Sequence, residues 1–394
     1  MSPSTIHNGR VFQSLAPVPF SRQTIVGVAI VFVLTAGVAS FAQEAQQESK
    51  PTEQIADSDC WSSFRNGGSS FVSEEATFPS SWSQQEGISW EVELPGYGQS
   101  APLVVGDKIL LTAVEGPNKE TNLVVCLHRE SGEELWRSSQ PSSLPGPSNF
   151  MFSRAAPTPV ADEARAIAFF ESGDLVAVRI SDGKKLWERD LKQEVGELKS
   201  RHGLGSSLTQ TDDLFFLNLE HDGPSALLAI QKSDGATRWK AERPSGTSWS
   251  SPVVMRRGEK YQVVVSSAGE AAGYDVENGD ELWKVGDLAG NTVPSPLVVG
   301  DRIFLGARKP EFGSVASAAK SNLCLEFKEG EDSPTVAWRS KRCIADYCSP
   351  VISGDFLFLI NGDGILGCLD KNTGEEKYRQ RLGFECWATP VVRG

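Results

Sequence analysis

The chain is poor in the residues that most often carry chemistry. Its 394 residues include four histidines, three methionines and five tyrosines. His7, His128, His202 and His221 fall at no metal-ligand spacing. There is no G-x-S-x-G elbow and no phosphate-binding glycine loop. "NGDGILG" (Asn361 to Gly367) begins like a calcium loop but lacks the terminal glutamate, and it sits where a turn between strands is due. Positive charge is also short: 38 Lys and Arg stand against 51 Asp and Glu, a formal charge of −13. A nucleic-acid or anionic-lipid surface needs a basic face, so neither partner is expected.

Long apolar runs are nearly absent. The exception is Ile25 to Val38, preceded by Arg22 and followed by small residues ending in Ser40-Phe41-Ala42. At about 14 residues the run is short for a membrane span, which needs roughly 20. Residues 1–42 therefore read as a signal peptide, with an uncleaved N-terminal membrane anchor as the alternative. No cysteine stands at the processing site, which argues against a lipoprotein anchor. Residues 43–59 are polar and rich in Glu and Gln, the composition of a disordered linker. Residues 60–394 are then an exported domain, periplasmic or otherwise extracytoplasmic, touching membrane only through an uncleaved N-terminus.

The seven cysteines are an odd number for an oxidising compartment. Cys126, Cys324 and Cys368 recur at one repeat position ("VVCLH", "NLCLE", "LGCLD") and read as small buried hydrophobes. Cys343, Cys348 and Cys386 lie at the entrances to the last two repeats. Free thiols and a disulfide between two of them are both open readings, and the pairing is open too.

What the chain has in abundance is one phrase. "HRESGEELWR", "RISDGKKLWE", "QKSDGATRWK", "DVENGDELWK" and "DKNTGEEKYR" each place a turn just before an aromatic. The aromatics are Trp136, Trp187, Trp239, Trp283, Trp338 and Tyr378, with an earlier relative at Trp90; they fall roughly 40–55 residues apart, a repeat period. A second marker starts each unit, as in "SAPLVVGD" at Ser100, "PSPLVVGD" at Pro294 and "ATPVVRG" at Ala388, seven starts in all. Within a unit the apolar residues alternate with period two, and Asp182-Gly183, Asp234-Gly235 and Asn278-Gly279 are two-residue hairpin pairs.

Each unit is thus a four-stranded antiparallel sheet, A-B-C-D. Such a sheet buries both faces only by stacking on its neighbours around an axis, which makes an all-β β-propeller. The aromatics are expected to wedge between blades. Trp90 supplies a strand D without A to C, and Ala388 to Gly394 a strand A without B to D. Joined, they make a seventh blade; eight blades is the alternative. The closing blade lacks strands B and C, so the chain is expected to be truncated at its C-terminus.

The phrase D-x-x-T/S-G-x-x-x-W, with S-x-P at strand A, resembles the PQQ-type propeller repeat. It is similar to repeats of quinoprotein alcohol dehydrogenases and of the outer-membrane-protein assembly factor BamB. "CWSSFRNGGSS" (Cys60 to Ser70) resembles the opening of exported PQQ-repeat propellers that are non-catalytic or uncharacterised. The resemblance covers Cys60 to Gly394. The dehydrogenases carry adjacent cysteines over the quinone and a calcium held by Glu, Asn and Asp. This chain has no Cys-Cys pair and no haem-type Cys-x-x-Cys-His, so no catalytic residue carries over and no cofactor is expected.

In an A-B-C-D blade the A–B and C–D turns share one face; the B–C turns and the D-to-A connections share the other. The long segments, Ser139 to Arg154, Asp190 to Gly205 and Ala307 to Ser321, all belong to the second face. It is the expected binding surface. The residues entering each strand A, namely Tyr97, Arg154, Arg201, His202, Trp249, Tyr347 and Trp387, would line it, since aromatics and Arg anchor interfaces. The function expected is an exported scaffold that docks other envelope proteins through this face. The alternative is a small-ligand or PQQ-binding propeller with calcium and redox activity, which needs a polar funnel and a carboxylate cluster; Asp346 and Glu385 are the only candidates at these entries.

Overall fold

The computed structural model describes residues 60–73, 79, 81, 83, 86–147, 152–309 and 315–393. The expected signal or anchor segment (1–42) and linker (43–59) lie outside the described residues.

The fold is a β-propeller with seven positions, six of them filled by complete blades. In blade 1 strands A to D are Leu103–Val105, Lys108–Glu115, Thr121–His128 and Glu134–Pro141. Blade 2 is Val160–Ala161, Arg165–Phe169, Asp174–Arg179 and Lys185–Asp190; blade 3 is Thr209–Gln210, Leu214–Leu219, Ser225–Gln231 and Thr237–Arg243. Blade 4 is Val253–Arg257, Lys260–Ser267, Glu270–Asp275 and Glu281–Val285; blade 5 is Leu297–Val299, Arg302–Leu305, Leu323–Glu326 and Thr335–Arg339. Blade 6 is Val351–Ser353, Phe356–Ile360, Ile365–Asp370 and Glu376–Arg381. The seventh position holds a strand A, Val392–Arg393. The core lies between blades: Ile167, Phe169 and Leu175 of blade 2 cluster with Phe215, Leu217 and Leu228 of blade 3, all buried.

The repeated phrase has a geometric explanation. In all six blades the register of strands C and D slips beside the aromatic, so the preceding residue is left unpaired in a bulge. Bulges re-aim the side chain that follows. Opposite the aromatic, strand C carries a small residue: Cys126, Ala177, Ala229, Gly273, Cys324 or Cys368. The three repeat-position cysteines are indeed buried there, facing Trp136, Trp338 and Tyr378.

Re-aimed in this way, the aromatic of one blade covers the C–D turn of the next. Trp136 lies over Gly183 and its Nε1 donates to the Ile180 carbonyl. Trp90, Trp187, Trp239 and Trp338 repeat this over Gly132, Gly235, Gly279 and Gly374, with Nε1 donating to Arg129, Lys232, Val276 and Lys371 carbonyls. Residues 87–96 form no strand, so the strand D expected at Trp90 is absent, yet Trp90 still covers the C–D turn of blade 1 and packs on its Leu111, Leu123 and Leu127.

The C–D turns are not the two-residue hairpins expected. Gly183 N donates to Arg179 O and Arg179 N to Lys184 O, which closes a four-residue loop, Ile180 to Gly183. Only the glycine is left-handed, at φ +70°. Asp182 instead accepts from Lys184 N through Oδ1. A Cβ on Gly183 would fall 2.4 Å from Trp136 Cε3, so glycine is required twice over, for its φ and for its missing side chain. The two-residue hairpins are the A–B turns: Gly106-Asp107, Gly258-Glu259, Gly300-Asp301 and Gly354-Asp355, each with glycine left-handed at the first position.

Two aromatics depart from the pattern. Trp283 meets a longer C–D turn in blade 5, where Gly330 has open space around it. Its Nε1 turns back to Gln262 Oε1 of its own blade (2.6 Å), and its ring meets Phe327 edge-on. Tyr378, facing the seventh position, is 46% exposed.

The strand-A starts build a belt around the axis through a Ser or Thr that in most of them stands directly before a proline. Ala101 N donates to Thr158 Oγ1, Thr158 N to Ser207 Oγ, Ser207 N to Ser251 Oγ and Ser251 N to Ser295 Oγ. Ser295 N then donates to Ser349 Oγ, and Ser349 N to Thr389 Oγ1. Six bonds of 2.8–3.0 Å link strand A of all seven positions. At the corresponding position blade 1 has Ala101, which carries no hydroxyl to accept a closing bond.

Inside this belt runs the chain's own N-terminal segment, which periodicity could not reveal. Cys60–Trp61 pairs antiparallel with strand A of blade 1, and Phe71–Val72 pairs parallel with Val392–Arg393. The segment therefore climbs one wall of the channel and descends another. Between them Ser62 O accepts from Ala161 N of blade 2 and Gln210 Nε2 of blade 3, and Gly68 packs on Val253 of blade 4. Arg65, 4% exposed, donates to Ser295 and Pro296 carbonyls of blade 5 and the Pro350 carbonyl of blade 6. One segment thus touches strand A, or the residues leading directly into it, at every position. Among the described residues no carboxylate pairs with Arg65; burial pulls its guanidinium down to about 9.

Candidate interaction face

The long connections emerge where expected, opposite the tight A–B and C–D turns. The Asp190 to Gly205 connection contains a short helix, Lys192–Val195, and the B–C connection of blade 5 contains Val315–Ala319. "NGDGILG" is the B–C turn of blade 6, where Asn361 Oδ1 accepts from Ile365 N. The seven residues predicted at the strand-A entries sort into two clusters and two singles.

The first cluster joins the entries of blades 2, 3 and 4. Arg154 has a left-handed backbone (φ +71°), and its guanidinium lies 4.1 Å from the Phe152 ring centroid. Below it Glu171, in the B–C turn of blade 2, is 4% exposed. Its Oε1 accepts from Ser153 Oγ (3.1 Å) and Ala156 N (3.3 Å), and its Oε2 from Leu204 N (3.3 Å). Burial pushes the Glu171 carboxyl up to about 7, against the pull of those donors and of Arg154. Burial likewise lowers Arg154, partly offset by Glu171. Gly203 has φ +75°, and a Cβ there would fall 2.0 Å from Glu171 Oε2. The Gly203 carbonyl accepts from Trp249 Nε1 (3.2 Å), and the His202 and Trp249 rings lie 6.3 Å apart. Arg154, His202 and Trp249 are thus brought together around a carboxylate that the sequence reading missed. Glu171 sits in an ordinary-looking turn, "FESGD", and only burial distinguishes it.

The second cluster joins blades 5 and 6 to the seventh position. Tyr347 and Trp387 stack face to face, centroids 4.1 Å apart at 12°. Arg308, also missed, lies 5.3 Å from the Tyr347 ring. Trp387 is 56% exposed, the most exposed large hydrophobic among the described residues. Asp346, next to Tyr347, ties together the B–C connections of blades 5 and 6: Oδ1 accepts from Lys309 N (3.0 Å) and Oδ2 from Gly362 N (2.8 Å). Both oxygens therefore already serve the backbone. Leu144, Val315 and Phe384 are further exposed apolar side chains on connections of this face.

Tyr97 and Arg201 join neither cluster through a described ring contact or hydrogen bond. Tyr97 pairs with Val114 through its backbone, and its hydroxyl accepts from Gln99 Nε2. Arg201 points to solvent.

A quinone with calcium fits these residues badly. Asp346 and Glu171 spend their oxygens on backbone amides, Glu385 is exposed, and Arg65 fills the axis. Among the described residues no three His, Cys, Asp or Glu side chains converge as a metal site. What the face offers is two rigid groups of aromatics, each with an arginine over a ring, on a scaffold locked from the other side. Among the described residues no helix is long and apolar enough to cross a membrane.

Fold and face together define a PQQ-repeat β-propeller with seven positions and a plugged axis. Residues 63–201 and 197–380 match the family model described as outer membrane protein assembly factor BamB, and the chain belongs to that family. A curated relative of that description from Alkalilimnicola ehrlichii is 28% identical over 161 residues, covering 40% of this chain and 36% of the relative. Another, from Burkholderia pseudomallei, is 23% identical over 282 residues, covering 70% of this chain and 64% of the relative. The chain thus spans between about a third and two-thirds of the length of these relatives. Among solved structures, BamB from Moraxella catarrhalis superimposes with a TM-score of 0.50 at 14% identity, covering 71% of this chain and 72% of that one; this likeness speaks for the fold.

Proposed function

We propose that this chain is an exported, non-catalytic scaffold of the cell envelope that takes part in outer-membrane protein assembly, and that it docks other assembly proteins through the loop face. The observation that carries the reading is the exposed Tyr347–Trp387 stack with Arg308 beside it. Trp, Tyr and Arg are the residue types that dominate binding energy at protein interfaces, and here they are preorganised on a rigid rim. The family description and the curated relatives support the assembly role. The reading assigns no part to PQQ or calcium.

The test is affinity capture from solubilised envelope, comparing the full chain with an Arg308→Ala, Tyr347→Ala, Trp387→Ala variant. A specific outer-membrane assembly protein should be recovered with the parent and fall at least about tenfold with the variant, since hot-spot truncations cost upwards of 2 kcal/mol. Equal recovery contradicts the docking surface. A calorimetric titration with PQQ and calcium tests the other reading: tight binding would restore the redox function.

A further inference from the structure

Among the described thiols one pair stands apart. Cys126, Cys324 and Cys368 each face a blade aromatic, and Cys343 Sγ meets Glu376 Oε2 at 3.3 Å. Cys348 and Cys386 face each other, sulfurs 3.6 Å apart, both buried. Cys348 enters strand A of blade 6; Cys386 enters the strand at the seventh position. That strand is otherwise tied in by Ser349 N donating to Thr389 Oγ1 and by its pairing with Phe71–Val72. We propose that Cys348 and Cys386 form a disulfide that staples the seventh position to the sixth blade.

The approach suits the chemistry. Disulfide sulfurs lie about 2.05 Å apart, so each need move less than about 1 Å, within reach of side-chain rotation. The Cys348 thiol donates toward the Cys386 sulfur, which lowers the Cys386 thiol and, together with burial, raises Cys348. With Cys386, whose thiol that contact lowers, as the first nucleophile, the exchange runs in two steps. The Cys386 thiolate attacks a small disulfide donor, expelling one donor thiolate and forming a mixed disulfide. Cys348, on losing its proton, attacks the Cys386 sulfur and expels the second donor thiolate. The two protein thiols lose two electrons and two protons, and the donor is reduced to two thiols. Occurrence in the cell rests on the proposed export, because such bonds persist in oxidising compartments.

The experiment oxidises the purified, folded chain with oxidised glutathione, alkylates remaining thiols in denaturant, and maps peptides by mass spectrometry. The expected result is a linked Cys348–Cys386 peptide and a loss of two alkylatable thiols. The bond should persist in Cys343→Ser and vanish in Cys348→Ser. Full alkylation of both cysteines, a lasting glutathione adduct at Cys386, or pairing with Cys343 would overturn the proposal. The same mapping on acid-trapped protein from cells separates the two readings. A bond that forms in the purified chain but is absent in cells supports the pairing and counts against export.

Discussion

The two ends of each seam between blades are built on different rules. At the turn end the seams repeat: a tryptophan over the next blade's turn glycine, its indole N–H on the turn carbonyl, at five of the seven positions. At the loop end four described seams are each built differently. Between blades 1 and 2, Asn122 Nδ2 donates to Asp174 Oδ2. Between 2 and 3, Glu171 accepts from Leu204 N. Between 3 and 4, buried Arg243 donates to Glu220, Glu270, Tyr274 and Ser267. Between 5 and 6, Asp346 accepts from Lys309 and Gly362 amides. One end is a lock copied from blade to blade; at the other each blade has its own polar solution, and there the candidate binding residues sit. Copying keeps the ring closed, which frees the other end to vary.

Substitutions at each end should separate these roles. The largest loss is expected at the loop end of the third seam. Arg243→Ala leaves Glu220 buried without its cation and should cost about 3–5 kcal/mol, read as the shift in urea-unfolding free energy. At the turn end of the same seam, Trp239→Ala removes a buried indole and its hydrogen bond, for a similar cost of about 3–5 kcal/mol.

A pH effect comes next. Glu171 binds its proton more tightly folded than unfolded, because burial raises it from 4.5 to about 7. Between those values the folded state holds more protons. Stability is therefore greatest below pH 4.5 as far as this group is concerned, and falls as pH rises through 7, by about 3 kcal/mol in all. Melting temperatures of the parent and of Glu171→Gln should lie closest at the acid end of that window and separate toward neutral pH, the parent falling while the variant, which keeps the uncharged form, lacks this slope.

Smaller effects sharpen the contrast between locked and unlocked turns. Gly279→Ala places a Cβ 2.7 Å from Trp239 at φ +79°, and should cost about 1–3 kcal/mol. Gly330→Ala, at φ +78° with open space, should cost only the backbone strain, about 1–2 kcal/mol. The smallest effect is expected from Tyr378→Ala, which occupies the repeat position but is 46% exposed: about 1 kcal/mol or less. A Tyr378→Ala loss equal to that of Trp239→Ala would erase the distinction.

The same contrast explains what the sequence could tell. The locks were legible because they recur: the D/N-G pairs, the aromatic after them and the seven strand-A starts each mark a place in the ring. The turn type was misread because Asp182 and its equivalents look like hairpin residues, while the bulge and the Trp–glycine contact that demand a longer loop are relations between blades. The exception at Trp283 follows from extra residues in "KEGEDSP". The plug was not legible as a plug, since Cys60 to Val72 has no period and its partners are backbone carbonyls from distant repeats. Of the seven entry residues, five fall into clusters, yet Glu171 and Arg308 were missed because single polar residues in turns announce nothing until burial and stacking are known.

The division between a locking face and a docking face is tested most directly by photo-cross-linking in cells. A photoreactive amino acid would replace Tyr347 or Trp387 on the loop face, and Asp107 or Asp355 on the turn face. The account predicts that the loop-face positions capture the same envelope assembly protein and that the turn-face positions capture none. Capture from the turn face, or equal capture from both, would contradict it.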